Sequence, residues 1–314
     1  MKKYLCGALA IFSTFSADSA AQAQKAKQSH WPNGAQLVIS ISMQFETGGQ
    51  PAGAESPFSG NPLPQGTPDL PAMTWFDYGY KEGIPRMLDL WDKHNIKVTS
   101  HMVGEAAIKN PELAKEIASR GHEVAAHGMR WDNQWDMGYE EEKAFIKDGI
   151  DAVEKITGQR GRGYNANWLR RGPNTLKVLQ DLDFLYHIDD LSRDEPFVTM
   201  VRGKKFAVIP YTLRNNDIVL IEGRNFSPDQ FLSQLKLEFA RLYEEGAHRR
   251  RMMSVSLHDR IGGSPALVKV MDEFLTHVKQ HEGVRFMRKD DIAKLVLAEK
   301  KPLADNTEAR FNRE

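Results

Sequence analysis

Cysteine is nearly absent from this chain. Its one thiol, Cys6, leaves no partner for an intrachain disulfide and excludes a cysteine-based zinc site. Net charge is absent too: 42 Lys and Arg balance 42 Asp and Glu, so there is no basic footprint for nucleic acid. Long apolar runs are missing. The run over residues 5–15 falls short of the roughly 20 residues that a bilayer-spanning helix needs, so the chain does not read as membrane-embedded. No internal repeat is found. What remains is ordinary globular composition, 41% hydrophobic and 27% charged over 314 residues, enough for one large domain or two small ones.

The short apolar run has another use. Met1-Lys2-Lys3 is a basic start, Leu5 to Phe15 an apolar centre, and Ala21-Gln22-Ala23 puts small residues where a signal peptidase needs them. The pattern predicts a signal peptide over residues 1–23 and a thiol-free, periplasmic or secreted mature protein. Residues 24–300 then read as one domain and residues 301–314 as a polar tail.

Residues 47–72 are rich in Gly, Pro and Ser and carry no periodic pattern. A stretch this long predicts a site-covering loop or a subunit contact. Around it the pattern is regular. Strands are expected over 37–45, 97–103, 122–126, 163–166, 184–188, 206–210, 218–221, 252–257 and 284–287. Helices are expected over 84–94, 111–120, 139–157, 174–182, 227–245, 264–280 and 290–299, the fifth capped by Ser227. This alternation indicates an α/β fold with a largely parallel sheet. Seven or eight such units fit one barrel better than two domains.

Three ionisable residues end apolar strands: Glu46 after Leu37 to Phe45, His127 after His122 to Ala126, and His258 after Met252 to Leu257. In a parallel barrel these strand ends share one rim, where active sites are built. Glu46 could ligate a metal, accept a proton or orient substrate. His127 could be a metal ligand or an acid/base. His258, leaving its strand toward Gly262-Gly263, is placed as a general acid for a leaving group. His122 starts its strand and so faces the opposite end, while His101 is as well suited to packing as to function. Trp131, within Trp131-Asp132-Asn133-Gln134-Trp135, is a candidate substrate wall or a packed loop. Asn165, Asn167 and Arg171 are candidates for holding a polar substrate. Asp189-Asp190 could orient a histidine or bind substrate, with Asp190 taken as the binding residue. The polar loop from Tyr211 to Asp217 belongs to the same rim or to a subunit interface.

With these residues in place, the chain resembles the polysaccharide deacetylase (NodB-homology) superfamily from about Trp31 to Lys294. The resemblance rests on the acidic first-strand end, on Gly121-His122-Glu123-Val124-Ala125-Ala126-His127-Gly128, on Arg160 to Tyr164 and on Leu257-His258. Trp31-Pro32-Asn33-Gly34-Ala35, Asn174-Thr175, Ile209 to Leu213 and Asn216-Asp217 are similar to the branch with peptidoglycan deacetylase-like proteins and metal-independent allantoinases. The resemblance implies a distorted (β/α) barrel of about seven units that hydrolyses amide carbon–nitrogen bonds. In the metal-dependent members an Asp and two His hold a divalent metal, a second Asp is the base and a late His is the acid. On this chain Gln44 stands at the base position, Glu46 at the metal-binding Asp, His127 at the first His and His258 at the late His. Trp131 stands at the second His, and Arg160-Gly161 replaces the expected Arg-Pro.

Indole cannot ligate zinc, and two protein ligands hold it poorly. The expectation is therefore no cofactor, or a divalent metal such as zinc held weakly by Glu46 and His127. The leading functional expectation is an exported hydrolase of non-peptide carbon–nitrogen bonds that N-deacetylates an envelope glycan. The alternatives are metal-independent ring opening of a small cyclic amide, ureide or imide, and an inactive carbohydrate-binding barrel. Retention of Glu46, His127 and His258 together argues against the last. The partner is then an N-acetylated glycan or a small cyclic amide, and the resemblance implies a homo-oligomer.

Overall fold

Strand β1 (Leu37–Phe45) is buried along its whole length, and its alternation sets the architecture. Leu37, Ile39, Ile41, Met43 and Phe45 join the large apolar core under the helices. Ser40, Ser42 and Gln44, on the opposite face, are buried inside the curl of the sheet. The computed structural model describes residues 30–50, 63–64 and 66–305. The expected signal segment, much of the 47–72 loop and most of the polar tail lie outside the described residues.

After β1 come α1 (Leu70–Tyr78), a π-helical turn at Gly79–Gly83, α2 (Ile84–Lys93), β2 (Thr99–Met102), α3 (Gly104–Lys109), α4 (Pro111–Ser119), β3 (Glu123–Ala126) and α5 (Tyr139–Thr157). The chain continues through β4 (Gly163–Tyr164), α6 (Thr175–Asp181), β5 (Tyr186–His187), β6 (Phe197–Val201), β7 (Lys204–Val208) and a second π-helical turn at Ile218–Glu222. It ends with α7 (Pro228–Gly246), β8 (Met252–His258), α8 (Asp259–Gly262), α9 (Pro265–Val278), β9 (Val284–Phe286) and α10 (Lys289–Ala298).

The sheet order is β6-β7-β5-β4-β3-β2-β1-β8, with β9 also on β1. Every pairing is parallel except β6 with β7. This is the expected distorted (β/α) barrel, and it is not closed by a ladder. Loops bridge the gap beside β8: Ser256 N donates to the Asn215 carbonyl at 3.0 Å and Met252 N to that of Asp194 at 2.8 Å. Among the described residues no helix is long and apolar enough to cross a membrane.

Several elements differ from the expectation, the short helices α3 and α8 among them, neither of which was anticipated. Residues 218–221 form a π-helical turn instead of a strand: Asp217 Oδ1 accepts from Ile218 N at 2.8 Å, and four apolar residues do not separate strand from helix by periodicity. Strand β6 was not anticipated. It pairs with β7 through a turn in which Arg202 and Gly203 both have positive φ (46° and 77°), as a two-residue hairpin requires. Helix α1 begins inside the segment expected to be loop, with Asp69 as N-cap, its side chain accepting from Ala72 N at 3.0 Å.

Candidate active site

The C-terminal strand ends gather as a barrel requires. Cα register pairs Gln44 with both His101 and His258, so the inner faces of β1, β2 and β8 meet at one level. Glu46 and His127 each follow two residues beyond that level, on the same inward side.

Glu46 is the centre of the site. Its Oε1 lies 3.3 Å from His127 Nε2 and 3.8 Å from His258 Nε2, and its Oε2 accepts from Arg260 Nη1 at 2.9 Å. Burial alone would raise this carboxyl. The charges of His258 and Arg260 outweigh burial and hold it far below the usual carboxylate range. Glu46 is therefore ionised at any working pH.

The two histidines have different second partners. His127 Nδ1 is 2.8 Å from the Asn165 carbonyl. A carbonyl only accepts, so Nδ1 carries the proton and Nε2 turns to Glu46. His258 Nδ1 lies 2.6 Å from Asp217 Oδ1, and Asp217 Oδ2 accepts from the His258 backbone N at 2.7 Å. Burial would lower His258, but the charges of Asp217 and Glu46 and the Asp217 hydrogen bond raise it, favouring the imidazolium.

Arg260, 5% exposed, completes the charge balance. Its guanidinium lies 4.8 Å from the Phe76 ring, 4.9 Å from Trp75 and 5.2 Å from Trp131. Each desolvated cation–π contact of this kind is worth roughly 1–2 kcal/mol, which helps offset the cost of burying the charge. Asp259 fixes the base of the arrangement. Its Oδ2 accepts from Glu46 N (2.9 Å), Thr47 N (2.9 Å) and Thr47 Oγ1 (2.8 Å), tying the end of β1 to α8.

These groups open into a pocket of about 100 Å³ with Trp75, Phe76, Trp131, Trp168, Leu169 and Leu213 among its apolar walls. Its polar side carries Gln44, Asn165, Tyr211 and Asn216. Gln44 Nε2 donates to Asn165 Oδ1 (3.2 Å) and Tyr211 Oη (3.1 Å), while its buried Oε1 has no partner among the described residues. Trp168 and Leu169 both adopt left-handed backbone (φ 53° and 60°), at a cost of about 1–2 kcal/mol each. That backbone holds the half-exposed Trp168 ring at the mouth.

Of the residues singled out from the sequence, the structure brings Glu46, His127, His258, Trp131, Asn165 and Asn167 to this pocket. It does not bring Arg171 or Asp190. Arg171 acts on Asp189 instead: its charge opposes the upward push that burial gives that carboxyl, which ends at about 6. Asp190 Oδ1 accepts from Ser192 N (2.8 Å) and Ser192 Oγ (2.6 Å) and so closes a turn. Its neighbour Asp189 is the inward member, accepting from Asn165 Nδ2 at 2.9 Å and Ala166 N at 3.0 Å. His122 sits at the far end, its Nδ1 accepting from Val98 N at 3.2 Å.

A family profile for polysaccharide deacetylase matches residues 65–187. A solved structure described as a probable polysaccharide deacetylase from Pseudomonas aeruginosa PAO1 superposes with a TM-score of 0.80 at 31% identity, covering 86% of this chain and 94% of that one. The chain belongs to the polysaccharide deacetylase family. A second structure, of PuuE allantoinase, is equally similar, with a TM-score of 0.80, 31% identity and coverage of 86% of this chain and 93% of that one. The peptidoglycan deacetylase of Helicobacter pylori is 25% identical over 67% of this chain and 82% of its own length. The chain is thus similar both to proteins named deacetylases and to one named an allantoinase.

The residues present do not fit the divalent metal expected in much of this family. Among the described residues no group of three or more His, Cys, Asp or Glu is placed to hold one. The decisive feature is positive: one Glu46 oxygen is bound by a guanidinium and the other faces two histidines. A divalent ion would enter beside a fixed cation and against an indole.

Proposed function

We propose that the chain is an exported hydrolase of non-peptide carbon–nitrogen bonds that opens a small cyclic amide, ureide or imide without a catalytic metal. One observation carries this reading: two histidines address the same Glu46 oxygen, at 3.3 and 3.8 Å, while a guanidinium holds the other oxygen at 2.9 Å.

His127 is the base. Glu46 is too weakly basic to hold a proton, whereas His127 Nε2 is left as acceptor once Nδ1 is committed to Asn165. A water beside Glu46 Oε1 and His127 Nε2 attacks the carbonyl carbon and gives its proton to His127. The carbon–nitrogen bond then breaks, and the departing nitrogen takes a proton from His258. Asp217 holds His258 in the protonated form and fixes its ring. The unpartnered Gln44 Oε1 suits a substrate N–H, which a cyclic ureide supplies.

N-deacetylation of a glycan is the second reading. The name of the Helicobacter pylori relative favours it, as does the exposed Trp168 ring lining the pocket, on which a sugar could stack. The signal-like N-terminus supports export. Hydrolysis assays on hydantoin-type rings and on N-acetylglucosamine oligomers, each with and without chelator, separate the two. Chelator-insensitive ring opening supports the proposal, and chelator-sensitive acetate release from the oligomers overturns it.

A further inference from the structure

We propose that the Arg260 guanidinium takes the place of the metal ion in this site, and that Trp131 replaces a ligand histidine because an indole face holds that guanidinium. The inference rests on the metal-independent reading above and names the group that makes it work.

Two unrelated departures from the metal-binding pattern meet at one atom group. Trp131 stands at a ligand position that an indole cannot serve, yet its ring lies 5.2 Å from Arg260 Cζ. Phe76 and Trp75 complete the enclosure at 4.8 and 4.9 Å. The carboxylate left at the metal-binding position, Glu46, is bound by Arg260 Nη1 at 2.9 Å. A fixed cation on Glu46, walled by π faces, supplies the positive charge that polarises a carbonyl. The guanidinium also has a donor to spare. Its Nε is buried without a partner among the described residues, and Arg260 lines the pocket. A substrate carbonyl placed beside it gains a hydrogen bond that strengthens as negative charge develops on oxygen. This assigns the substrate a planar, carbonyl-bearing ring that packs beside the aromatic walls with one oxygen toward Arg260.

Zinc titration of the purified full chain by calorimetry tests this without any substrate. The wild type and Trp131→His should bind no zinc, since Arg260 still holds Glu46. The double variant Trp131→His, Arg260→Ala should take up one zinc, at least roughly 100-fold tighter than Trp131→His. Stoichiometric zinc on either protein that keeps Arg260 overturns the proposal, and so does a folded double variant that binds none. Should the double variant not fold, Trp131→His decides alone: zinc uptake refutes the idea and its absence upholds it. A second arm measures turnover, in which Arg260→Ala should lose at least roughly 100-fold in kcat and regain part of it with millimolar guanidinium chloride. Turnover of Arg260→Ala within about threefold of wild type refutes the role in polarising the carbonyl. Failure of ring opening in the wild type would count against the functional reading while leaving the zinc result to stand or fall separately.

Discussion

His258 and His127 are the same residue type at the ends of two strands, and their second partners divide the labour between them. A buried aspartate stabilises charge on His258, while a backbone carbonyl merely fixes the His127 tautomer. Asp217→Asn keeps the shape and removes the charge. It should lower kcat by about 100- to 10,000-fold with little change in KM. The sign of its pH effect follows from the same contact. Asp217 raises His258; without it the imidazolium loses its proton at lower pH, and the basic limb of kcat/KM moves toward acid. An unshifted basic limb in a folded variant would remove His258 from the acid role. Glu46→Gln tests the centre: it deletes the charge that both histidines and Arg260 address, and steady-state assays should show kcat down by at least about 100-fold.

At the scale of elements, the site depends on two backbones in contact. A Cβ on Gly83, where the first π-helical turn meets α2, would lie 2.0 Å from the Asp259 carbonyl oxygen, and one on Gly263 would lie 2.2 Å from Gly83 Cα. Only glycines allow α2 and α8 this close, and α8 carries both Asp259 and Arg260. Gly83→Ala should cost about 1–3 kcal/mol or more by urea denaturation and should lower kcat as Arg260 is displaced. A variant with wild-type stability would show that the contact is not tight. The alternation of strands and helices, the shared rim and the three reactive strand ends were legible in the sequence because each is a local pattern. The partners that give those residues their roles were not. Asp217 lies 41 residues from His258 along the chain and Arg260 214 residues from Glu46, and no periodicity links them. Helix α1 was hidden by the Gly- and Pro-rich stretch before it, though Asp69 followed by Leu70-Pro71 was a capping signal in view. The left-handed pair Trp168-Leu169 has no sequence signature, since neither residue favours that backbone.

For the whole molecule, the interior of the curled sheet is polar where barrels of this kind are usually filled with branched apolar side chains. Ser40, Ser42, Gln44, Thr99, His101 and Lys289 are all within 1% of full burial. Lys289 Nζ donates to Ser40 Oγ at 3.1 Å, and burial, opposed by the charge of Glu123, pulls the ammonium down to about 7. A group lowered in this way binds fewer protons folded than unfolded between its folded value and 10.5, so its term makes the protein more stable as pH rises through that window and is a full cost below it. Other groups act differently. Buried His101 and His187, both lowered by burial, cost stability below the ordinary histidine range. His258, raised, loses its contribution as pH climbs. Comparing Lys289→Met with wild type cancels these shared terms. Urea denaturation should find the variant more stable at pH 7, by about 1–3 kcal/mol. That advantage should shrink by about 1.4 kcal/mol for each pH unit climbed toward 9.5, because the wild-type lysine is by then neutral in its buried site while still charged in the unfolded chain. An advantage that stays constant across this range would mean that Lys289 keeps its proton inside the fold, and that the polar interior solvates it better than its single hydrogen bond implies.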